Sequence, residues 1–323
     1  LVLLLTLLSN LSYQLYFMPT PEKAALRAGI ISAICAYTMW GIAPLYFKLI
    51  DHINADEILV HRVVWSTLLL TLVVLFTKRS RYFIDTITQP KIVFRLTISA
   101  TFLAVNWFMF IWAVNNDHLL DASLGYYINP LFSVALGVIF LGERLRPWQL
   151  FAVGLAFIGV IIQLFMMGSL PIISLALAAT FGIYGLLRKQ MPLDSFVGLL
   201  IESLMMLPLA LIYWLVFLKT STTNMLDNTL SLNLLLICAG IVTTAPLLCF
   251  TAATKRMTLS ALGFFQYIGP SIMFILATFY YQEPLYFAKM ITFACIWTAL
   301  AIFSFDSIKA RKRADRNQLD TTK

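Results

Sequence analysis

The chain has 323 residues, 60% of them hydrophobic and only 12% charged, with a mean hydropathy of +0.86. A soluble domain carries roughly a quarter charged residues, and no globular core of this length absorbs so much apolar surface, so the solvent for most of the chain is a bilayer. The net charge of +8 excludes little by itself: the basic residues lie between apolar runs and at the C-terminus, a topological pattern that gives no reason to expect nucleic acid.

Residues 1–18 (LVLLLTLLSNLSYQLYFM) are apolar but lack the basic flank and cleavage site of a signal peptide. Met18 followed by PTPEKAALRAG reads as an ordinary cytoplasmic start. The expectation is an N-terminal extension over 1–27, of which 1–17 come from an overlong start assignment. A membrane helix needs about 20 mostly apolar residues, and from Ala28 such runs fall at 28–50, 55–77, 92–114, 120–141 and 148–167. Five more follow at 169–188, 196–217, 232–254, 259–281 and 286–306. The connectors are short and polar, none long enough for a soluble domain. A basic tail closes the chain over 307–323. The four cysteines all fall inside apolar runs without CxxC or Cys/His spacing, so neither a disulfide, a metal nor another cofactor is expected.

With both termini cytoplasmic, the cytoplasmic segments take every Lys and Arg except Lys48, Arg62, Lys219 and Lys289. The positive-inside rule therefore predicts a multi-pass protein of the bacterial inner membrane with both ends inside. The tail reads as a stop-transfer flank, with membrane lipid as its neighbour.

An internal duplication underlies the ten spans. SLGYYINP at 123–130 returns as ALGFFQYIGP at 261–270, and Glu143 and Glu283 each follow the motif proline by 13 residues. The offset is 138 before the aromatic pair and 140 after it, Gln266 and Tyr267 being extra in the second copy. Five helices is an odd number, so the second copy sits inverted. Inverted repeats are a transporter signature, because exchanging the conformations of the halves alternates access to a central site. The fold class is thus an all-α polytopic membrane protein of two inverted five-helix repeats, 28–167 and 169–306.

Several segments carry a resemblance: WGIAPLYFKLI (40–50), ADEILVHRVVWS (55–66), NWFMFIWAVNN (106–116), ASLGYYINPL (122–131), FLGERL (140–145), GIVTTAPLLCFTAAT (240–254) and LGFFQYIGP (262–270). They resemble the RarD family, a branch of the EamA-type permeases in the drug/metabolite transporter superfamily, from about Gly29 to Phe305. The resemblance implies ten membrane helices, two inverted EamA repeats, and a cavity lined by the first, third and fourth helices of each half. Members often carry a chloramphenicol-sensitivity label, which names a phenotype.

The cavity candidates on those helices are Trp40, Asn106, Trp107, Phe110, Tyr126 and Asn129 in the first half and Tyr184, Phe250, Phe265 and Gln266 in the second. Aromatic and amide groups suit amphipathic solutes; they are equally the groups that pack membrane helices together. Ionisable groups within spans are costly, and three stand out: His61, Arg62 and Glu202. Arg62 and Glu202 are expected to share a buried ion pair or to face the cavity. Were transport coupled to protons, Glu202 is the first acid and His61 the second; a fixed structural pair is the alternative. Pro130 and Pro270 are expected to kink repeat-related helices and hinge the halves. Glu143 and Glu283 are expected to cap helix amides, where an anion is favoured.

The functional expectation is a permease or exporter moving small amphipathic metabolites or drugs by alternating access. A channel-like facilitator is the alternative, distinguished by the absence of flux saturation, with a receptor or scaffold behind it. An enzyme is not expected, because no nucleophile–base pair or ligand cluster faces itself across the spans. Whether the protein is a monomer or homodimer, and which small molecule it carries, the sequence leaves open.

Overall fold

The computed structural model describes residues 21–116, 118–167, 172–280, 282 and 287–321. The reassigned start and Glu283 lie outside the described residues. Those residues form helices and turns without a strand: α1 (Pro21–Lys48), α2 (Ala55–Phe76), α3 (Ser80–Ile87), α4 (Pro90–Asn115), α5 (Leu119–Leu141) and α6 (Pro147–Met167), then α7 (Ile172–Gln190), α8 (Ser195–Val216), α9 (Leu230–Thr254), α10 (Leu259–Gln266), α11 (Ile268–Ile275) and α12 (Phe287–Thr321). Lipid offers the backbone no partner, so a spanning segment must satisfy its own amides as a helix. Among the described residues, ten spans are long and apolar enough, from Lys23–Lys48 to Met290–Ala310. Outward-facing side chains such as Phe76, Phe165 and Leu215 are largely exposed, as a lipid-facing surface requires.

Two details depart from the expected spans. The connector after the second span contains the two-turn helix α3, and α12 runs on through most of the basic tail to Thr321. The ninth span, Leu259–Tyr280, is broken: α10 ends at Gln266, α11 begins at Ile268, and a π-helical turn follows over Leu276–Tyr280. The two residues that are extra in the second repeat, Gln266 and Tyr267, fall at that break. The helix assignment differs around the two repeat-related prolines, Pro130 and Pro270. Pro130 sits inside the single assigned helix α5, whereas Pro270 belongs to a helix already interrupted three residues earlier.

The chain divides into two compact units, 1–28 with 144–169 and 285–323, and 29–143 with 170–284, each drawing on both halves of the sequence. In the first, α6 packs along α12: Thr292 Oγ1 donates to the Gly159 carbonyl at 3.1 Å, and Arg146 pairs with Asp306 at 2.5 Å. In the second, α2 packs on α8 and α9, α4 on α7 and α8, and α5 on α7 and α10. This pattern is what inverted halves produce: α2 meets its counterpart α8, α5 meets α10, and the contact of α2 with α9 repeats as α8 with α4. The acids opening α2 and α8 follow the same logic. Asp194 accepts from Arg79 at the end of α2 and from the amides of Phe196 and Val197. Asp56, 138 residues earlier, accepts from Tyr213 near the end of α8. The end of this unit that carries Arg79, Arg188 and Lys189 is called the basic end below, and the opposite one the far end.

Candidate functional site

Near the middle of the second unit, α2, α4, α8 and α9 enclose a small cavity with room for about one water. Ser66, Trp107, Glu202, Ser203, Thr243 and Thr244 supply its polar lining and Val63, Leu70, Leu103 and Leu247 part of its apolar wall. Of the ten aromatic and amide candidates read from the sequence, Trp107 is the one that lines it; Glu202 does so from the charged set.

Glu202 does not pair with Arg62. Its partner is Arg188 of α7, whose Nη1 lies 3.5 Å from Glu202 Oε1, with both side chains fully buried. Tyr184 donates its hydroxyl to the same carboxylate at 3.4 Å. The geometry depends on Gly198, one turn before Glu202 on α8: a Cβ there would collide with the Arg188 guanidinium. Arg188 Nε and Nη2 find no acceptor among the described residues. A buried ion is expensive unless its charge and hydrogen bonds are met, so this pair depends strongly on both members.

Around the pair, the core closes toward the basic end. Tyr37 and Trp40 of α1, Phe181 and Tyr184 of α7 and Phe250 of α9 form one aromatic cluster with centroid separations of 5.1 Å (Phe181–Phe250) to 6.4 Å (Tyr37–Phe250). Trp40, Tyr184 and Phe250 therefore pack on one another rather than line the cavity. Beyond the cluster, the α9–α10 turn is held from both sides. Lys189 Nζ donates to the carbonyls of Thr254 and Met257 at 3.1 and 2.6 Å, at the negative end of α9. Glu143 accepts from the amides of Leu259 and Ser260 at 2.6 and 2.8 Å, at the positive end of α10. Glu143 can reach because Gly142 takes a left-handed φ of 64° at the end of α5, a conformation glycine adopts without strain. The turn residue Lys255 has its pKa lowered to about 8, by burial first and then by the charge of Arg188.

Toward the far end the core is looser. Arg62, half-buried on α2, donates Nε to Thr243 Oγ1 at 2.8 Å, and its guanidinium carbon lies 4.8 Å from the centroid of the Trp107 ring. Tyr126 and Tyr46 are within electrostatic range of it. Tyr126 keeps 41% of its surface exposed. Phe110 meets Tyr126 edge to face at 6.4 Å.

The remaining candidates do not border this cavity. Asn106 Nδ2 ties α4 to α7 through the Leu177 carbonyl and Thr180 Oγ1, both at 2.9 Å. Gln266 Nε2 donates to Ser133 at 3.0 Å, joining α10 to α5. Asn129 is half-buried with an unmet Oδ1, and Phe265 is half-buried. His61 is fully buried, accepting from Trp65 Nε1 at 3.1 Å and lying edge-on to Trp214 at 4.8 Å; it is not among the cavity residues. No group of three or more His, Cys, Asp or Glu capable of holding a metal occurs among the described residues.

Comparison with known proteins decides the family. The EamA-like transporter family matches residues 27–165. A Vibrio cholerae protein named as an uncharacterized transporter is 54% identical across 92% of this chain and 98% of its own. Protein RarD of Escherichia coli is 52% identical across 90% and 98%. The chain belongs to the RarD family of EamA-like transporters. A Pseudomonas aeruginosa member, named chloramphenicol-sensitive protein RarD, is 28% identical across 89% of this chain and 97% of its own. One solved crystal structure shares the fold with a TM-score of 0.69 at 17% identity, covering 86% of this chain and 98% of that one.

For a RarD-family transporter the arrangement has three regions: a charge-clamped helix turn at the basic end, a small cavity, and a half-buried arginine beside it. Sequence reasoning missed four of its parts. Arg188 reads as a topological flank because Lys189 follows it at a span end. Phe181, Thr243 and Gly198 are ordinary membrane-helix residues whose placement alone gives them a role. The repeat offset does relate Tyr46 to Tyr184, and so pointed to both arginine neighbourhoods.

Proposed function

We propose that this protein is an inner-membrane permease that moves small amphipathic metabolites or drugs by alternating access, with both termini and the basic end cytoplasmic. The observation that carries the reading is the asymmetry of one core. A cavity bordered by Glu202 and Trp107 has an aromatic cluster packed nearby and two helix-end clamps toward the basic end, and on its other side an arginine that is only half-buried and has no carboxylate partner among the described residues. A carrier caught with one gate shut has this form, and inverted halves supply the opposite state by exchanging conformations. A channel is less well supported, since the basic side of the core is filled by side chains in ring contact.

The test is flux in proteoliposomes loaded with a mixed metabolite pool, measured with and without an imposed pH gradient. A carrier gives saturable uptake that accelerates when the same solute is placed on the opposite side. Flux that rises without limit and shows no such acceleration would mean a pore. Dependence on the gradient that disappears in Glu202→Gln would put this carboxylate on a proton path; gradient-independent equilibration would make the protein a facilitator.

A further inference from the structure

Among the arginines within the spans of the second unit, Arg95 is exposed near the start of α4, and the two that reach the core, Arg188 and Arg62, have surroundings that differ in kind. Arg188 is fully buried and has Glu202. Arg62 is half-buried and, among the described residues, has no carboxylate partner: its hydrogen bond goes from Nε to the neutral hydroxyl of Thr243, and one face lies over Trp107. Both contacts hold the guanidinium in place without neutralising it. They also leave the two Nη groups, the fork that matches a carboxylate in a bidentate pair, without a protein acceptor among the described residues. A cation within a span that is oriented but not neutralised is costly to keep, and such residues mark substrate paths.

We infer that Arg62 is the anchoring site for a small monocarboxylate whose body is apolar and flat. The single positive charge sets the valence: one carboxylate neutralises it, while a phosphate dianion would bring an uncompensated charge into a poorly solvated space. The walls set the body. Trp107 backs the guanidinium, and Phe110 meets Tyr126, which lies within electrostatic range of Arg62, edge to face, offering aromatic surface beside the charge. Tyr126 lies within electrostatic range of the guanidinium and brings a hydroxyl to the site, whereas the Tyr46 hydroxyl already donates to the Leu235 carbonyl at 2.8 Å. Thr243 and Trp107 also line the mid-depth cavity, so a ligand held at Arg62 sits at its mouth. The site rests on the permease reading, whose substrate contact it is.

The experiment compares acids with their amides on the purified full-length protein. The probes are phenylacetate and indoleacetate against phenylacetamide and indoleacetamide, with binding read as thermal stabilisation in detergent. The wild type binds each acid at least about tenfold more tightly than its amide, the margin expected of a charge-assisted pair. Arg62→Gln loses the discrimination, and Arg62→Lys keeps the charge but loses the fork and retains only part of it. Should Arg62→Gln fail to fold, protection of wild-type Arg62 from phenylglyoxal, followed by peptide mass spectrometry, replaces it: the acids slow the modification and the amides do not. Equal binding of acid and amide, undiminished discrimination in Arg62→Gln, no protection of Arg62, or no binding of any acid at millimolar concentration would each overturn the inference. Binding of the acids without saturable flux in liposomes would keep the Arg62 site and defeat the permease reading instead.

Discussion

Arg188 and Arg62 occupy opposite halves of one core and show what separates a structural charge from a working one. Arg188 is fully buried beside Tyr184, paired with Glu202 in the space left by Gly198. Arg62 is held by a hydroxyl and a ring and keeps its charge unanswered. The first arrangement closes a gate through self-contained chemistry. The second leaves chemistry for a ligand to complete.

The largest way to break this comparison is to unpair the closed side. Glu202→Leu leaves Arg188 buried and uncompensated and is expected to cost about 3–5 kcal/mol in thermal or denaturant unfolding. The double variant Arg188→Met/Glu202→Leu recovers most of that loss, because two apolar side chains need no partner. A double variant no more stable than the single one would mean that the pair does more than satisfy itself. Phe250→Ala removes the ring touching Tyr37, Trp40, Phe181 and Tyr184, and is expected to cost about 3 kcal/mol. It should also raise leak through the basic side in liposomes. Glu143→Gln exchanges a charged cap on the α10 amides for a neutral one, a loss of about 1 kcal/mol.

The smallest effect is a pH dependence. Lys255 has its pKa lowered to about 8, so between that value and its ordinary range the unfolded chain holds a proton that the folded one does not. Stability from this group therefore rises as pH climbs through that window. Lys255→Met should stabilise the protein at neutral pH, and the advantage should shrink above pH 10, as read from melting temperatures across the range.

The spans were legible because a bilayer imposes one requirement on each of them separately: enough apolar residues to cross as a helix. The break in the ninth span was also written in the sequence, since Gln266 and Tyr267 are the two residues by which the repeats fail to match. What that mismatch did to the helix was not readable: the assigned helix runs on through Pro130 but is interrupted before Pro270. At the site, Arg62 and Glu202 stood out because charge in a span is rare. Their pairing did not follow, because nearness along the repeat axis says nothing of which way a side chain turns. Glu202 turns toward α7, where Gly198 clears space for Arg188; a glycine in an apolar helix announces no such purpose.

The central claim is that one core presents a shut basic side and an accessible far side, and that these exchange. Its most direct test is cysteine accessibility in a background lacking Cys35, Cys238, Cys249 and Cys295, all free thiols here. Tyr126→Cys and Phe181→Cys would be probed by a membrane-impermeant maleimide from each face in turn. The account predicts that Tyr126→Cys reacts from the far side while Phe181→Cys stays protected. Conditions that favour the opposite state should expose Phe181→Cys from the basic side and protect Tyr126→Cys. Simultaneous reaction of both positions from either face would contradict alternating access and describe an open pore.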